Sequence, residues 1–399
     1  ACAEGHELID VDGRRYLDAI SSLWVITLGH RVAELDAAVR AQLDKIAHST
    51  LLGHSNTVVI ELAEALAAVV PVDRAHVLFA GDGASAVEQA LKLAVQFWAN
   101  QGIAGRTEFL AFGGAYHGDT IGALSLGDDH PGTAAFSELR FPVRRAPGFD
   151  DPRAFDVAAE MVAKHARTLA AVVLEPLVQG AAGMVMAPPE RFAVLGQACV
   201  DHDVLLICDE VATGFGRTGT LFASEQCALR PDLLCLGKGL TGGYLALSAT
   251  IASQRIFDAF LGADAGPRTF RHGHSYGGNA LAAAVALRHL QLLDEWDVLA
   301  NVTARSAQLT DRLAAVVAPL PAVGEVRVRG LMAGVELLPA GGRAAPSPGR
   351  AVCRAALSRG VLLRPLGDVI VLVPPLTVTA EEIERIVTVL ADAVVEVTS

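Results

Sequence analysis

Residues 203–219, DVLLICDEVATGFGRTG, and residues 232–243, DLLCLGKGLTGG, each pass from an apolar run into a polar, glycine-rich turn. A short apolar run bounded by turn residues is typical of a buried strand. The first run ends in Asp209 and Glu210, and the second ends at Lys238, which lies between two glycines. Ligands of open α/β sheets collect at the carboxyl ends of strands, so this pattern predicts a functional site there.

Helical and strand-like segments alternate on both sides of these turns. Amphipathic stretches at 32–47 and 86–98 separate short apolar runs, among them 75–80 and 108–112. Helices that separate buried strands indicate a mostly parallel sheet covered on both faces. We therefore expect an α/β fold with a large domain over residues 26–293.

The two ends of the chain follow a different pattern. Residues 12–13, Asp-Gly, form a hairpin turn signal between two short strand-like segments. Near the C-terminus, Thr379 and Glu382 have the spacing of a capping box for a final helix. We expect residues 1–25 and 294–399 to form together a smaller α+β domain.

Composition excludes several classes of partner. The 399 residues carry a net charge of −12, which argues against nucleic acid or an anionic membrane surface as the partner. No apolar run reaches the roughly 18 residues of a membrane span, and the first residues lack the layout of a signal peptide. The six cysteines form no CxxC pair, which favours reduced thiols over a metal site. We expect a cytoplasmic protein that acts on small molecules and holds no metal.

Lysine is scarce in this chain. Among 32 basic residues only four are lysines, namely Lys45, Lys92, Lys164 and Lys238. A lysine that forms an imine must be held in a desolvated pocket. Three of the four lie in helical patterns, whereas Lys238 follows an apolar run and is flanked by glycines that allow close approach of the backbone. The alternative is a lysine that ends a strand and reaches into solvent.

The carboxylates at the end of the first run offer a second candidate group. Neighbouring strand residues face opposite ways, so only one of Asp209 and Glu210 can point toward a given ligand. A buried carboxylate needs a cationic partner. That partner is either a lysine, in a simple ion pair, or the protonated nitrogen of a pyridine ring.

Two glycine-rich turns differ in what they predict. Residues 81–85, GDGAS, lie between a strand-like run and a helical pattern, where the N–H groups of a helix start could hold a phosphate. Many ordinary strand-to-helix turns share this pattern. Residues 214–219 match GxGxxG, but no strand directly precedes them and no helix opens at Gly219, which argues against a dinucleotide site.

Four motifs together resemble the class III pyridoxal-phosphate aminotransferases of fold type I. They are AYHGDT (115–120), LEPLVQGAAGM (174–184), ICDEVATGFGRTG (207–219) and CLGKGLTGGYL (235–245). The resemblance implies a large domain with a mostly parallel seven-stranded sheet and a smaller α+β domain. It also implies pyridoxal 5'-phosphate as cofactor and a homodimer whose active sites are shared at the interface.

The same resemblance implies roles for individual residues. The catalytic residues would be Lys238, Asp209 and Tyr116. The cofactor-binding residues would be Gly83, Ala84, Tyr116, His117, Glu175, Asp209, Val211, Lys238 and Ser275. The substrate-binding residues would be Trp24, Tyr116, Arg217, Gly273 and Arg364.

In these roles Lys238 would bind the cofactor covalently, Asp209 would pair with the pyridine nitrogen, and Tyr116 would lie against the ring. The hydroxyl of Ser275 would reach the phosphate held by the other subunit, and Arg364 would bind a substrate carboxylate. The alternatives are that Tyr116 and Trp24 are core aromatics and that Arg364 and Arg217 form surface ion pairs.

Further segments narrow the resemblance to the members of the family that act in biotin synthesis. They are SSLWV (21–25), AHSTLLGHSN (47–56), YHGDTIGALS (116–125), HGHSYGGN (272–279) and LLRPLGDVI (362–370). This branch implies transfer of an amino group from S-adenosylmethionine, or from lysine, to 8-amino-7-oxononanoate. The alternatives are another class III transaminase, acting on ω-amino acids or on an amine and pyruvate, and a non-catalytic sensor that binds pyridoxal phosphate.

Two positions depart from the family pattern. Asp82 stands where a small hydroxyl residue is usual, and a carboxylate beside a phosphate is unfavourable unless it faces away. Leu23 replaces the first residue of a frequent Trp-Trp pair, which leaves the amino donor open.

Overall fold

The structure, a computed structural model, describes residues 2–128, 131–338 and 347–398. Its strands are β1 (Cys2–Glu4), β2 (Glu7–Ile9), β3 (Arg15–Asp18), β4 (His76–Ala80), β5 (Glu108–Phe112), β6 (Arg144–Ala146), β7 (Leu169–Leu174), β8 (Val178–Gln179), β9 (Val185–Met186), β10 (Leu205–Asp209), β11 (Leu233–Leu236), β12 (Ser248–Ala252), β13 (Val323–Arg329), β14 (Met332–Leu337), β15 (Val361–Leu362), β16 (Arg364–Leu366) and β17 (Val369–Leu372).

Its α-helices are α1 (Ser21–Trp24), α2 (Ala33–Leu43), α3 (Thr57–Val69), α4 (Gly83–Asn100), α5 (Ile121–Leu126), α6 (Ala154–His165), α7 (Phe192–Asp201), α8 (Ala223–Gln226), α9 (Gln254–Ala259), α10 (Ala280–Glu295), α11 (Val298–Arg312), α12 (Gly349–Ser358) and α13 (Ala380–Thr398). Three 3₁₀ segments lie at Pro131–Leu139, Pro189–Arg191 and Lys238–Thr241, and a π-helical turn at Leu313–Val317 follows α11. None of these helices is long and apolar enough to cross a membrane.

The largest sheet has seven strands in the order β4-β12-β11-β10-β7-β5-β6. Strand β12 is antiparallel to both of its neighbours, and the other adjacent pairs are parallel. The predicted mostly parallel, seven-stranded sheet is confirmed.

Both faces of this sheet are covered. In β10, Leu205 and Ile207 pack in the cluster that contains the apolar residues of α4, whereas Leu206 and Cys208 pack in the cluster that contains those of α6 and α7. Every residue of β10 is buried, which explains why this strand is a continuous apolar run and not an alternating one.

Two further sheets form from the ends of the chain. Strands β1, β2, β3 and β15 make one, in which the hairpin predicted at residues 12–13 joins β2 to β3, and β15 lies parallel to β3. Strands β13, β14, β17 and β16 make the other, which is antiparallel throughout. The predicted capping box is present, because Thr379 N donates to Glu382 and Glu382 N donates to Thr379. The division into domains at residues 26 and 293 stays a prediction.

The topology brings several turns to one edge of the large sheet. Strands β4, β5, β7, β10 and β11 all run in the same direction, so their carboxyl ends lie at the same edge. The segments that follow these strands hold the glycine-rich turn and the motifs that the sequence singled out.

Candidate active site

A cavity of about 480 Å³ lies at this edge of the sheet. Its walls include residues from the segments after all five strands. Among those residues are Asp82, Tyr116, Glu175, Asp209 and Lys238. The fold therefore gathers into one place groups that are far apart in the sequence.

Lys238 lies two residues after the end of β11, and its backbone has a φ of +38°, in the region that disfavours residues with a side chain. A side chain at either flanking glycine would be crowded by its neighbours. A Cβ on Gly237 would lie 3.2 Å from Val211, and one on Gly239 would lie 3.2 Å from Phe215. Burial lowers the pKa of the Lys238 amino group, although the charges of Asp209 and Glu175 oppose the shift. A larger share of this amine is therefore neutral and nucleophilic near pH 7 than of an exposed lysine.

Asp209, and not Glu210, faces the cavity. Asp209 Oδ2 lies 2.7 Å from Nδ1 of the buried His117, and Asp209 Oδ1 accepts a hydrogen bond from Val211 N at 3.0 Å. Burial disfavours the charged imidazole of His117, but the hydrogen bond and the charge of Asp209 outweigh it and raise the pKa of His117. Within the described ranges no ion pair joins Asp209 to Lys238, so the simple ion-pair alternative does not hold.

Glu210 points the other way, into the body of the protein. Its carboxylate accepts hydrogen bonds from Ala223 N at 2.6 Å, Ser224 N at 2.8 Å and the Ser224 hydroxyl at 2.6 Å. It therefore binds the start of α8 and takes no part in the cavity.

Tyr116 forms part of the cavity wall and is 41% exposed. Its hydroxyl donates to Asp119 Oδ2 at 3.1 Å, and burial together with the charge of Asp119 raises its pKa to about 12. Its backbone N–H donates to Glu175 Oε1 at 3.2 Å. Asp119 also lines the cavity, and the sequence analysis did not single it out. Its place three residues after Tyr116, within the AYHGDT motif, was the available signal.

Glu175 is a buried carboxyl at the end of β7. Its second oxygen accepts a hydrogen bond from Gly180 N at 3.3 Å. Burial raises the pKa of Glu175 to about 7, and the neighbouring His117 partly opposes this shift. Glu175 thus joins the loop that carries Tyr116 to the loop that follows β7.

The turn between β4 and α4 presents free backbone N–H groups of the kind that bind a phosphate. The first N–H groups of a helix, here those of Gly83 and Ala84, have no acceptor within the helix. A Cβ on Gly83 would lie 2.7 Å from Val211, so only glycine fits there. Asp82 Oδ1 accepts from Ser85 N at 2.9 Å and Asp82 Oδ2 accepts from the Ser85 hydroxyl at 2.8 Å. The carboxylate that departs from the family pattern is therefore bound to the first turn of its own helix.

Trp24 closes another side of the cavity. Its ring centroid lies 5.6 Å from Lys238 Nζ, and its indole N–H has no hydrogen-bond partner within the described residues. The segment before it is strained, because Ser21, Ser22 and Trp24 all have positive φ. The neighbouring Asp18 side chain accepts from Ser22 N at 2.8 Å and helps to hold this conformation.

These residues fit pyridoxal 5'-phosphate. The desolvated amine of Lys238 lies at the end of one strand, the carboxylate of Asp209 lies at the end of the next, and the glycine turn before α4 offers free N–H groups. An amine, a carboxylate and a phosphate cradle around one cavity match the aldehyde, the ring nitrogen and the phosphate of this cofactor.

Comparison with known proteins agrees with this geometry. The sequence profile of the family Aminotransferase class-III matches residues 2–394. The chain belongs to the class-III aminotransferases. It is therefore a transaminase, its cofactor is pyridoxal 5'-phosphate, and its fold is that of the fold type I enzymes.

Two curated members of the family are adenosylmethionine-8-amino-7-oxononanoate aminotransferases. The one from Nitratidesulfovibrio vulgaris is 45% identical over 99% of this chain and 77% of its own length. The one from Geobacter sulfurreducens is 40% identical over 96% of this chain and 89% of its own length.

Two solved structures of class-III aminotransferases are also similar. The adenosylmethionine-8-amino-7-oxononanoate aminotransferase of Methanocaldococcus jannaschii has a TM-score of 0.95 and 38% identity, and the match covers 99% of this chain and 92% of that one. A PLP-bound amine transaminase from an uncultivated Pseudomonas species has a TM-score of 0.93 and 35% identity, with 99% and 94% covered.

Arg217 does not lie where the family resemblance implied. The expected position was near the substrate entrance of this aminotransferase, but the residue is only 3% exposed and does not line the cavity. Its guanidinium donates to the carbonyl oxygens of Ile26, Leu331 and Pro374. Burial lowers its pKa to about 9. Arg217 fastens the turn after β10 to distant segments, and the surface ion-pair alternative does not hold either.

The remaining predicted residues lie outside the cavity of the single chain. Ser275 and Gly273 are exposed, and the carbonyl of Ser275 accepts a hydrogen bond from His48 Nε2 at 2.8 Å. Arg364 is exposed on β16, without an ion pair among the described residues. Their roles in this aminotransferase stay predictions.

Proposed function

We propose that this aminotransferase transfers an amino group from S-adenosylmethionine to 8-amino-7-oxononanoate, giving 7,8-diaminononanoate in biotin synthesis. The observation that carries the proposal is the 45% identity, over 99% of the chain, to an enzyme named for these two substrates. A fold match of 0.95 to another enzyme of that name supports it. Lysine is the alternative donor, and the similar amine transaminase favours a simple amine as the next candidate.

The residues around the cavity have separate tasks in this reaction. Pyridoxal 5'-phosphate supplies an aldehyde that binds amines and a ring that withdraws electrons from the carbon beside the nitrogen. Lys238 would hold the cofactor, and its amine, once displaced by a substrate amine, would take a proton from the substrate carbon and deliver it, as acid, to the carbon of the former aldehyde group. Asp209 keeps the positive charge on the ring nitrogen, and His117 orients Asp209 through the 2.7 Å contact.

Other residues shape the space for the substrate. The rings of Tyr116 and Trp24 form two walls of the cavity and limit the space for the substrate. Arg364 binds the carboxylate of the oxononanoate, because a guanidinium pairs with a carboxylate through two parallel hydrogen bonds.

The working enzyme in this proposal is a homodimer with shared active sites, in the cytoplasm. The exposed apolar side chains near Ser275 support an interface at this surface. Leu52 is 86% exposed and Tyr276 is 65% exposed, and the His48 ring, which contacts Tyr276, lies in the same segment as Leu52. Such a surface is typical of a contact with another protein chain.

Single half-reactions test the substrates. The yellow enzyme is mixed separately with S-adenosylmethionine, lysine and a simple amine, and loss of the aldehyde absorbance identifies the donor. We expect S-adenosylmethionine to bleach the enzyme and 8-amino-7-oxononanoate to restore it. If the oxononanoate never restores the absorbance while pyruvate does, the biotin assignment is wrong and an amine transaminase takes its place.

A further inference from the structure

The loop that carries Tyr116, His117 and Asp119 is held at its far end by a carboxylate from another helix. Glu88 of α4 accepts three hydrogen bonds at one oxygen, Oε1. The donors are the Thr120 hydroxyl at 2.6 Å, Gly122 N at 2.8 Å and Ala123 N at 3.2 Å.

These donors belong to the first turn of α5. Thr120 is the residue that precedes this helix, and its own side chain makes no capping hydrogen bond. The N–H groups at the start of a helix lack partners within it. Glu88 therefore caps α5 from outside, and the negative charge suits the positive end of that helix.

Two glycines show how closely this loop lies on α4. A Cβ on Gly122 would meet the Glu88 carboxylate at 2.2 Å, and a Cβ on Gly118 would meet the Cβ of Ala84 at 2.4 Å. A side chain at Gly118 would require displacement of α4 or of the loop, and a side chain at Gly122 would push the Glu88 carboxylate away from its three donors. The segment 115–123 is thus fitted to α4 at two points.

The same helix starts the phosphate cradle. Gly83 and Ala84 form the first turn of α4, and Glu88 lies five residues from Gly83, about 7.5 Å along the axis at 1.5 Å per residue. A helix is stiff over this length. The phosphate end and the aromatic wall of the cavity are therefore both attached to one rigid element.

We propose that Glu88 is a positioning residue, which fixes Tyr116 and Asp119 relative to the phosphate-binding turn by holding segment 115–123 on α4. It acts through the loop and touches neither cofactor nor substrate. The proposal rests on the assignment of Tyr116 to the cofactor ring, and it does not depend on which amine the enzyme uses.

The test uses the cofactor-loaded enzyme and three variants. Glu88→Ala removes the acceptor. Glu88→Gln keeps an oxygen for the three donors and removes only the charge. Gly122→Ala leaves Glu88 in place but pushes its carboxylate away, since the added methyl would lie 2.2 Å from it.

Glu382→Ala is the matched control. Glu382 also caps a helix, because it accepts from Thr379 N at 2.8 Å, but it lies in the capping box of α13 and does not line the cavity. A variant that merely weakens a helix start should behave like this control.

We expect E88A and G122A to lose hydrogen-exchange protection at the amide of residue 123, to lower the visible circular dichroism of the bound cofactor and to speed its loss about tenfold. E88Q should restore most of the dichroism, and E382A should keep it. The visible dichroism and the rate of cofactor loss both depend on the geometry around the cofactor ring, and neither measurement requires turnover.

Two outcomes would overturn the proposal. In the first, a folded E88A loses amide protection but keeps the dichroism and the rate of cofactor loss, so that Glu88 is a helix cap alone. In the second, E88A keeps the amide protection. Y116A tests the assignment of Tyr116 separately. If the dichroism of Y116A is unchanged, Tyr116 does not contact the cofactor ring, and the premise of the proposal fails. If E88A does not fold, G122A, which displaces the carboxylate while Glu88 stays in the chain, decides between the same outcomes.

Discussion

The amino group of Lys238 is subject to opposing influences. Burial favours its neutral form, whereas Asp209 and Glu175 favour the charged form, and burial prevails. The backbone adds strain at the same residue, since its φ is +38°. Strain of this kind persists only where the surroundings hold it, and it is typical of functional sites.

Borohydride reduction gives the most direct check on Lys238. We expect the purified protein to be yellow and reduction to fix the cofactor to Lys238, which peptide mapping identifies. The other three lysines of the chain are internal controls. A colourless protein, or label on Lys45, Lys92 or Lys164, would contradict the assignment.

The proposed role of Arg364, binding of the substrate carboxylate, can be tested by kinetics with different substrates. Loss of a charge-assisted pair costs about 1.5–3 kcal/mol, so R364A should raise the KM for 8-amino-7-oxononanoate by roughly 10- to 100-fold. The half-reaction with an amine that lacks a carboxylate should be unchanged. R354A, which removes an exposed arginine of α12, is the control. Equal losses with both kinds of substrate would place Arg364 in a structural role.

Some positions in the site could be predicted from the sequence and others could not, for identifiable reasons. Lys238 and Asp209 end apolar runs, so strand position alone marked them. Arg217 was misplaced because its partners, the carbonyls of Ile26, Leu331 and Pro374, are distant in the sequence. Only the fold brings those carbonyls together.

Among the secondary-structure elements, α4 contributes most to the site. Its first turn offers free N–H groups, its second turn carries Glu88, and its N-terminal cap is Asp82. The strands that flank it were predictable because they are apolar. Strand β12 was not predicted, because its sequence SATIA contains two hydroxyl residues, and those side chains hydrogen-bond to α4 and the turn before it.

The cap of α4 gives a prediction about cofactor affinity. Asp82 places a negative charge beside the turn that we expect to hold the phosphate, so D82S should bind pyridoxal 5'-phosphate more tightly, by roughly 3- to 10-fold. Serine is itself a good cap, so the stability of the apoenzyme should change by less than about 1 kcal/mol. A cofactor titration of apoenzyme followed by absorbance measures the affinity.

D82A is the control for that experiment, since it removes both the charge and the cap. We expect D82A to lose about 1 kcal/mol of stability while it shares the gain in cofactor affinity. Weaker cofactor binding by D82S would show that the carboxylate supports the cradle and does not oppose the phosphate.

At the scale of the whole molecule, Glu210 links stability to pH. Burial raises its pKa to about 7 from the ordinary value of 4.5. Between these values the unfolded chain releases a proton that the folded protein keeps, so stability falls as pH rises from about 4.5 to about 7 and is constant above. Across this pH range the free energy of unfolding falls by at most about 3 kcal/mol because of Glu210.

The contribution of Glu210 can be measured as the difference in the free energy of unfolding between two pH values. We expect the free energy of unfolding of E210Q, measured in urea at pH 5 and at pH 8, to differ less between the two pH values than that of the wild type. E61Q, at an exposed position of α3 away from Glu210, should keep the wild-type difference. An unchanged pH dependence in E210Q would mean that the carboxyl ionises as easily in the folded protein as in the unfolded chain.

The parallel pairing of β3 with β15 has a consequence for synthesis of the chain. Strand β3 leaves the ribosome roughly 340 residues before its partner at Val361–Leu362. Until then Leu17, which is buried in the finished sheet, has no complete apolar environment. Contacts between such distant segments form slowly, so this sheet closes only after residues 361–362 have been made. A stalled or shortened chain would keep this early strand edge open to association with other chains.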